Sequence, residues 1–118
     1  MTITYAWRGV FTDPELPGVW ERVNAHSLGW VCARAADGAL AGFVNVAWDG
    51  GQHAFILDTW VDPDRRRAGI GTLLVKVAAE ESQAAGCTWL HVDFEPHLTG
   101  YYLESCGFRS TAAGLIAL

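Results

Sequence analysis

Val61-Asp62-Pro63-Asp64-Arg65-Arg66-Arg67-Ala68-Gly69-Ile70-Gly71-Thr72 is the stretch whose reading decides the fold. The apolar run Phe55-Ile56-Leu57 leads into it and predicts a strand over His53 to Val61. Asp62-Pro63-Asp64 ends that strand, because proline fixes its own φ and has no N–H to give to a ladder. Beyond the glycines, Ile70, Leu73, Leu74, Val77 and Ala78 recur at helical spacing and form the expected apolar stripe. Gly86 stands where a helix from about Ala68 to Ala85 would end. Strand, tight turn and helix thus follow one another, with two glycines and three arginines at the helix entrance. Helix starts leave backbone N–H groups unpaired and carry a partial positive charge. Glycines let an anion approach those groups closely, so the turn is a candidate phosphate cradle.

Other phosphate-binding glycine motifs fail on detail. A dinucleotide fingerprint needs a third glycine three residues after the second, and position 74 is Leu. A P-loop needs Gly-Lys-Ser/Thr, whereas Gly71 is followed directly by Thr72. The structural alternative is that Gly69 and Gly71 only permit close helix-to-strand packing, with the arginines as a solvated run.

Working toward the N-terminus, Asp49-Gly50-Gly51 is a turn and Ala39 to Trp48 a strand, apolar on both faces apart from Asn45. Asp37-Gly38 is a hairpin signal, and Gly29 to Ala35 is the strand before it. Three strands joined by tight turns make an antiparallel meander. Ile3 to Trp7 reads as a first strand. Asp13-Pro14-Glu15 signals a helix start, but Pro17-Gly18 interrupts it, so one short helix is expected from about Val19 to Ala25. On the other side of the central stretch, Cys87 to Phe94 is a strand, parallel to the one before the long helix. Leu98 to Cys106 predicts a short helix, closed by Gly107 with Phe108 packing back on Leu103. Leu115 to Leu118 predicts a last strand.

The 118 residues suit one domain over 1–118 with one core. Half of them are apolar and six are Trp. No run approaches the roughly 20 apolar residues of a membrane span, and Met1 to Arg8 lacks a basic end followed by an apolar block, so a cytoplasmic protein is expected. Cys32, Cys87 and Cys106 are scattered and odd in number, which fits reduced thiols rather than disulfides, and no spacing of ligands suggests a metal. Net charge is −5, with three of the eight basic residues at 65–67. Nucleic-acid binding, which needs a broad basic surface, is disfavoured. An acidic remainder suits a cationic amine.

Arg66-x-x-Gly69-x-Gly71, placed after Val-x-Pro at a strand end and before a long amphipathic helix, resembles the pyrophosphate-binding signature of the GNAT superfamily of N-acetyltransferases. Tyr102-Leu103-Glu104-Ser105-Cys106-Gly107-Phe108 is similar to that family's late helix closing in Gly-Phe. The resemblance covers about half the chain, His53 to Phe108. It implies an α/β fold with a mixed sheet, in which the meander is followed by a parallel β-α-β unit; the family usually places two helices near the N-terminus, and this chain departs from it with a region shortened to one. It implies that the two parallel strands part to admit an acyl-pantetheine arm. It further implies acetyl-CoA as co-substrate, held by main-chain groups of Thr59, Trp60 and Val61 and by a cradle of Arg66, Arg67, Ala68, Gly69, Ile70, Gly71 and Thr72. The expected reaction is direct attack of a primary amine of a small molecule or peptide on the thioester. The rival reading is a non-catalytic acyl-CoA-binding module. A homodimer partner is expected to cover apolar surface left by the short N-terminal region.

Two residues are candidates for handling the amine. His91 faces opposite Leu90 and Val92, at a place where some relatives carry a catalytic carboxylate, and has a suitable ordinary pKa near ~6.5. Asp93 shares its face and is expected to orient the ring; the alternative is a strand histidine bonded near the sheet edge. Asp58 interrupts the apolar strand three residues before Val61 and serves either as base, as cation binder or as a structural carboxylate. His53 and His97, beside turns, read as surface residues. The family's acid-donating tyrosine would fall at Leu103, and relatives often carry asparagine where Pro96 stands, so that general acid does not carry over.

Overall fold

The computed structural model describes residues 2–118; Met1, the first residue of the expected domain, lies outside it. Five strands form one sheet in the order β1-β2-β3-β4-β5. They are β1 (Ile3–Trp7), β2 (Ser27–Ala35), β3 (Leu40–Trp48), β4 (His53–Val61) and β5 (Trp89–Val92). The first four are antiparallel neighbours. β5 runs parallel to β4, with His53 opposite Trp89 and Ile56 opposite Val92. The mixed sheet of the sequence reading is therefore present, switching from antiparallel to parallel at the strand that precedes the central stretch.

Helix α2 (Ile70–Ala84) joins the parallel pair and covers one face. Ile70, Leu74 and Ala78, spaced by four, are buried against Val31, Val44, Val46, Ala54 and Ile56. Each such large side chain contributes on the order of 1.5–3 kcal/mol by leaving water. Docking is close because Gly42 lies beneath the helix: a Cβ there would stand 2.9 Å from Leu74 Cδ1. Leu73, counted in the expected stripe, instead points outward and is 43% exposed. Successive positions on a helix are ~100° apart, so Leu73 and Leu74 cannot both face a flat sheet squarely.

A smaller core occupies part of the opposite face. Phe11 sits at its centre, edge-on to Trp20 at 5.0 Å and to Phe43 at 5.2 Å. The single helix α1 (Trp20–His26) lies over it, contributing Val23. Glu15 locks the segment before α1 to β2, gripping the Arg34 guanidinium at 2.5 and 2.9 Å. The β4–β5 part of this face is left uncovered, and Phe55, Leu57 and Trp89 stay exposed there.

Two expectations fail near the C-terminus. Leu98–Cys106 is not a regular α-helix but a 3-10 turn (Pro96–Leu98) followed by a π-helical segment (Gly100–Ser105). Its wider winding shows in the bond from Cys106 N–H to Tyr101 O. Gly107 does close it, at φ 80°, but Phe108 packs edge-on to the Tyr102 ring. Leu115–Leu118 forms no strand. Its composition suits a strand, but the segment pairs with no strand among the described residues, and a strand needs that partner.

Candidate active site

β4 carries one residue too many for its neighbour. Asn45 lies opposite Leu57 and Phe43 opposite Trp60, so two steps on β3 answer three on β4. The surplus is a β-bulge, and Asp58 within it takes φ 55°. Among L residues aspartate tolerates this left-handed conformation better than most. Its carboxylate is held from two sides: Oδ2 accepts from Asn45 Nδ2 at 3.0 Å and from Arg22 Nη1 of α1 at 2.9 Å. Asn45 is 2% exposed, and its own oxygen accepts from Ser27 Oγ at 2.5 Å. The one polar residue of the central strand is thus the post that aims Asp58. Strained backbone of this kind persists where its surroundings over-determine it, which is common at ligand sites.

Pairing of β4 with β5 ends at Ile56. From Leu57 to Val61, β4 has no strand partner on that side, because β5 ends at Val92, opposite Ile56. Thr59 is exposed, while Trp60 packs on the aromatic core and Val61 on the α2 core. Their backbone groups on the open side are available to an extended ligand or to a carbonyl needing a donor.

The open edge runs directly into the turn before α2. Asp62 braces that turn, accepting from the Asp64 N–H at 3.1 Å and from Arg65 Nη1 at 2.5 Å. One of the three arginines is therefore spent on structure, while Arg66 and Arg67 are exposed. Arg67 and Gly69 both take left-handed backbone, at φ 70° and 78°. α2 then starts without a side-chain cap, and its first bond runs from Leu73 N–H to Gly69 O. Around Gly69 a Cβ would meet nothing within 4 Å, so Ala68, Gly69 and Ile70 leave the helix entrance open.

Gly71 is constrained from within. A Cβ there would lie 2.6 Å from the Tyr101 hydroxyl, which is buried and has no hydrogen-bond partner. Burial, then the neighbouring Cys106 thiol, push this hydroxyl above its ordinary pKa, so it stays protonated. An uncapped helix start, left-handed turns and two exposed arginines together suit a phosphate or pyrophosphate. The residues present fit the phosphate part of a coenzyme A thioester, with Thr72 on the same first turn.

His91 lies apart from Asp58. Its ring stacks on Phe55 at 4.7 Å, and its Nε2 is 2.7 Å from His53 Nδ1. Asp93 does not orient it: the ring's partner is His53, which the sequence reading placed at the surface. The parallel register causes this, because it sets His53 and Phe55 beside Trp89 and His91 on one face. Asp58 is three residues further along β4, roughly 10 Å at strand rise. The two candidates share no hydrogen-bond partner.

Leu103, in the position of the family's tyrosine, is half-buried, and the neighbouring Tyr102 is 5% exposed, stacked on Phe94 at 4.9 Å. A cavity of about 560 Å³ lies between the end of β5 (Asp93, Phe94, Glu95), Leu98, Tyr102 and the chain at Ala113–Leu115. A second, of about 530 Å³, is lined by Val10, Phe11, Asp13, Gly18, Trp20 and Glu21. Neither includes Asp58 or the phosphate turn. Sequence reading missed Arg22, Ser27 and Tyr101; the lone Asn45 in an apolar strand was the one available hint.

The family model described as the acetyltransferase (GNAT) family matches residues 4–108. A mycothiol acetyltransferase of Mycolicibacterium vanbaalenii is 37% identical over 60 residues, which make up 51% of this chain and 20% of that protein. The chain thus spans about a fifth of the length of that curated relative. Among solved structures, a GNAT family acetyltransferase of Streptococcus pneumoniae has a TM-score of 0.81 at 22% identity, over 99% of this chain and 98% of that one. AAC(6')-Iy, solved with the bisubstrate analog CoA-S-monomethyl-acetylneamine, has a TM-score of 0.75 at 18% identity, over 100% and 98%. These structural likenesses show the fold, and the family match spans nearly all of it. The chain belongs to the GNAT family of acetyltransferases.

Proposed function

We propose that residues 1–118 act as a single N-acetyltransferase domain moving an acetyl group from acetyl-CoA to a primary amine. The observation that carries this reading is the succession of two features: the unpaired edge of β4 from Leu57 to Val61 is followed, through the turn at 62–69, by the uncapped start of α2. A pantetheine arm would lie along Thr59, Trp60 and Val61, with the pyrophosphate at Arg66 to Thr72. Acetyl-CoA supplies an activated acetyl thioester when bound.

The chain's own part is mostly alignment. Free β4 backbone donors would hold the thioester oxygen. Asp58 is placed to receive the acceptor ammonium at the groove, and the proton lost before attack passes to water there. The C–N bond forms as the C–S bond breaks, the sulfur leaves with the bonding electrons, and the second proton that the nitrogen loses as the amide forms also goes to water. His91, tied to His53 and about three residues away in register, has a lesser role in this reading. Leu103 supplies no proton, so water protonates the departing thiolate.

The test is calorimetric titration with acetyl-CoA together with thiol release over a panel of amines. Thiol release that depends on the amine is the expected result. Tight binding without turnover would favour the second reading, a non-catalytic acyl-CoA-binding module, which Leu103 at the tyrosine position supports.

A further inference from the structure

Arg22 and Asp58 present opposite charges side by side, partly exposed, on the unpaired stretch of β4. Contact between them is end-on: Arg22 Nη1 meets Asp58 Oδ2 at 2.9 Å, and Asn45 Nδ2 meets the same oxygen. Asp58 Oδ1 has no hydrogen bond among the described residues, and neither do Arg22 Nη2 and Nε. The side chains remain 46% and 33% exposed. Each partner therefore keeps unused hydrogen-bonding capacity directed at solvent. Asp58 cannot swing away to satisfy Arg22 better, because buried Asn45 and the left-handed bulge fix it.

This arrangement bears on which amine the groove takes. A lone Asp58 would select cations indiscriminately. With Arg22 beside it, the net charge at this point is close to zero, and a polycation gains little by approaching. A molecule carrying an ammonium and a carboxylate on one carbon gains twice, since its two charges can lie antiparallel to the Arg22–Asp58 pair. Guanidinium donors match a carboxylate in two places at once, which gives direction as well as strength.

We propose that Arg22 and Asp58 form a two-point receptor for a zwitterionic acceptor, an α-amino acid or a compound with the same ammonium–carboxylate unit. Arg22 is the specificity-determining residue: it holds the carboxylate while Asp58 holds the ammonium. This rests on the acetyltransferase reading of the same groove and names the substrate class within it.

The experiment compares α-amino acids with their carboxamides and with a simple diamine, each with acetyl-CoA and thiol detection. Wild-type protein is expected to prefer the carboxylate form over the carboxamide at least tenfold in kcat/KM. Arg22→Gln should bring that ratio to about one, and Arg22→Lys should restore part of it. A binding arm needs no turnover: the Arg22 Nε–H resonance should shift on titration with the amino acid and stay put with the carboxamide. Equal kcat/KM for the two forms in wild type, or an unchanged ratio in Arg22→Gln, overturns the receptor while leaving an amine acetyltransferase. A moving Arg22 resonance with no thiol release from any amine supports the receptor and overturns the acetyltransferase reading instead. A static resonance overturns the receptor in either case.

Discussion

The two halves of β4 are built for different tasks. From His53 to Ile56 the strand has partners on both sides, Ala54 and Ile56 are buried under α2, and His53 bonds His91 across to β5. From Leu57 to Val61 it has a partner on one side only, contains an extra residue, and holds Asp58 at φ 55°. The first half secures the parallel unit. The second exposes a row of backbone groups and one fixed carboxylate, then delivers the chain to the α2 entrance. The change begins after Ile56, where β5 pairing ends, and, two residues on, a buried amide and an α1 arginine both grip Asp58. The difference teaches that the free edge begins where β5 ends, while the α1 side of the sheet fixes the carboxylate beside it.

The largest effect is expected at the end of the open half. Gly71→Glu should raise the dissociation constant for acetyl-CoA at least 10²-fold, through bulk and like charge at the helix start. Because a Cβ at 71 also meets the Tyr101 hydroxyl, circular dichroism and calorimetric titration should be run on Gly71→Ala with and without Tyr101→Phe. Better retention of affinity in the double variant would show that the contact is steric. Unchanged affinity in a folded Gly71→Glu protein would remove the phosphate cradle.

Next comes the carboxylate. Asp58→Asn should lower kcat/KM about 10²-fold, by loss of the charge that positions the ammonium. Steady-state kinetics across pH checks this, and full activity would leave Asp58 as a structural residue. Behind it, Asn45→Ala strips partners from both Ser27 and Asp58 in a buried place. It should destabilise the fold by about 2 kcal/mol in urea titration; no change would mean that Asp58 is not held by this post.

The N-terminal segment offers a control away from β4. Hydrogen bonding from Arg34 holds Glu15 down to about 2, from an ordinary value of 4.5. The folded pKa lies below the unfolded one, so this contribution is full above about 4.5 and disappears as pH falls toward 2. Allowing for solvent screening of a partly exposed pair, Glu15→Gln should cost about 1 kcal/mol at neutral pH, shrinking toward zero near the acid end. Chemical denaturation at several pH values measures the difference, and a constant difference would contradict the assignment. The smallest effect is expected in the closed half: His91→Ala should change kcat/KM less than about threefold, under ~1 kcal/mol of barrier. A tenfold or greater loss that shrinks as pH rises would return the proton-accepting role to His91 and reverse the comparison.

Local signals carried the element order of this protein. Proline and glycine at 63, 69, 71 and 86 punctuate the chain, and apolar period separates the α2 stripe from the strands. These depend on neighbours a few residues away, so β1 to β5, α1 and α2 were legible, as was the phosphate turn, whose chemistry belongs to a helix entrance. The features settled by folding involve residues distant in the chain. Arg22 meets Asp58 across 36 positions, and His53 meets His91 across 38; strand register and the docking of α1 make those pairs. A one-residue bulge leaves the apolar alternation of 53–61 almost unchanged, so Asp58 read as an interruption rather than as a left-handed corner. Leu115–Leu118 shows the converse, a segment with strand composition that joins no strand of the sheet. Period and punctuation act within a segment, whereas hydrogen-bond partners, strained corners and strand edges exist only once separate segments have been brought together.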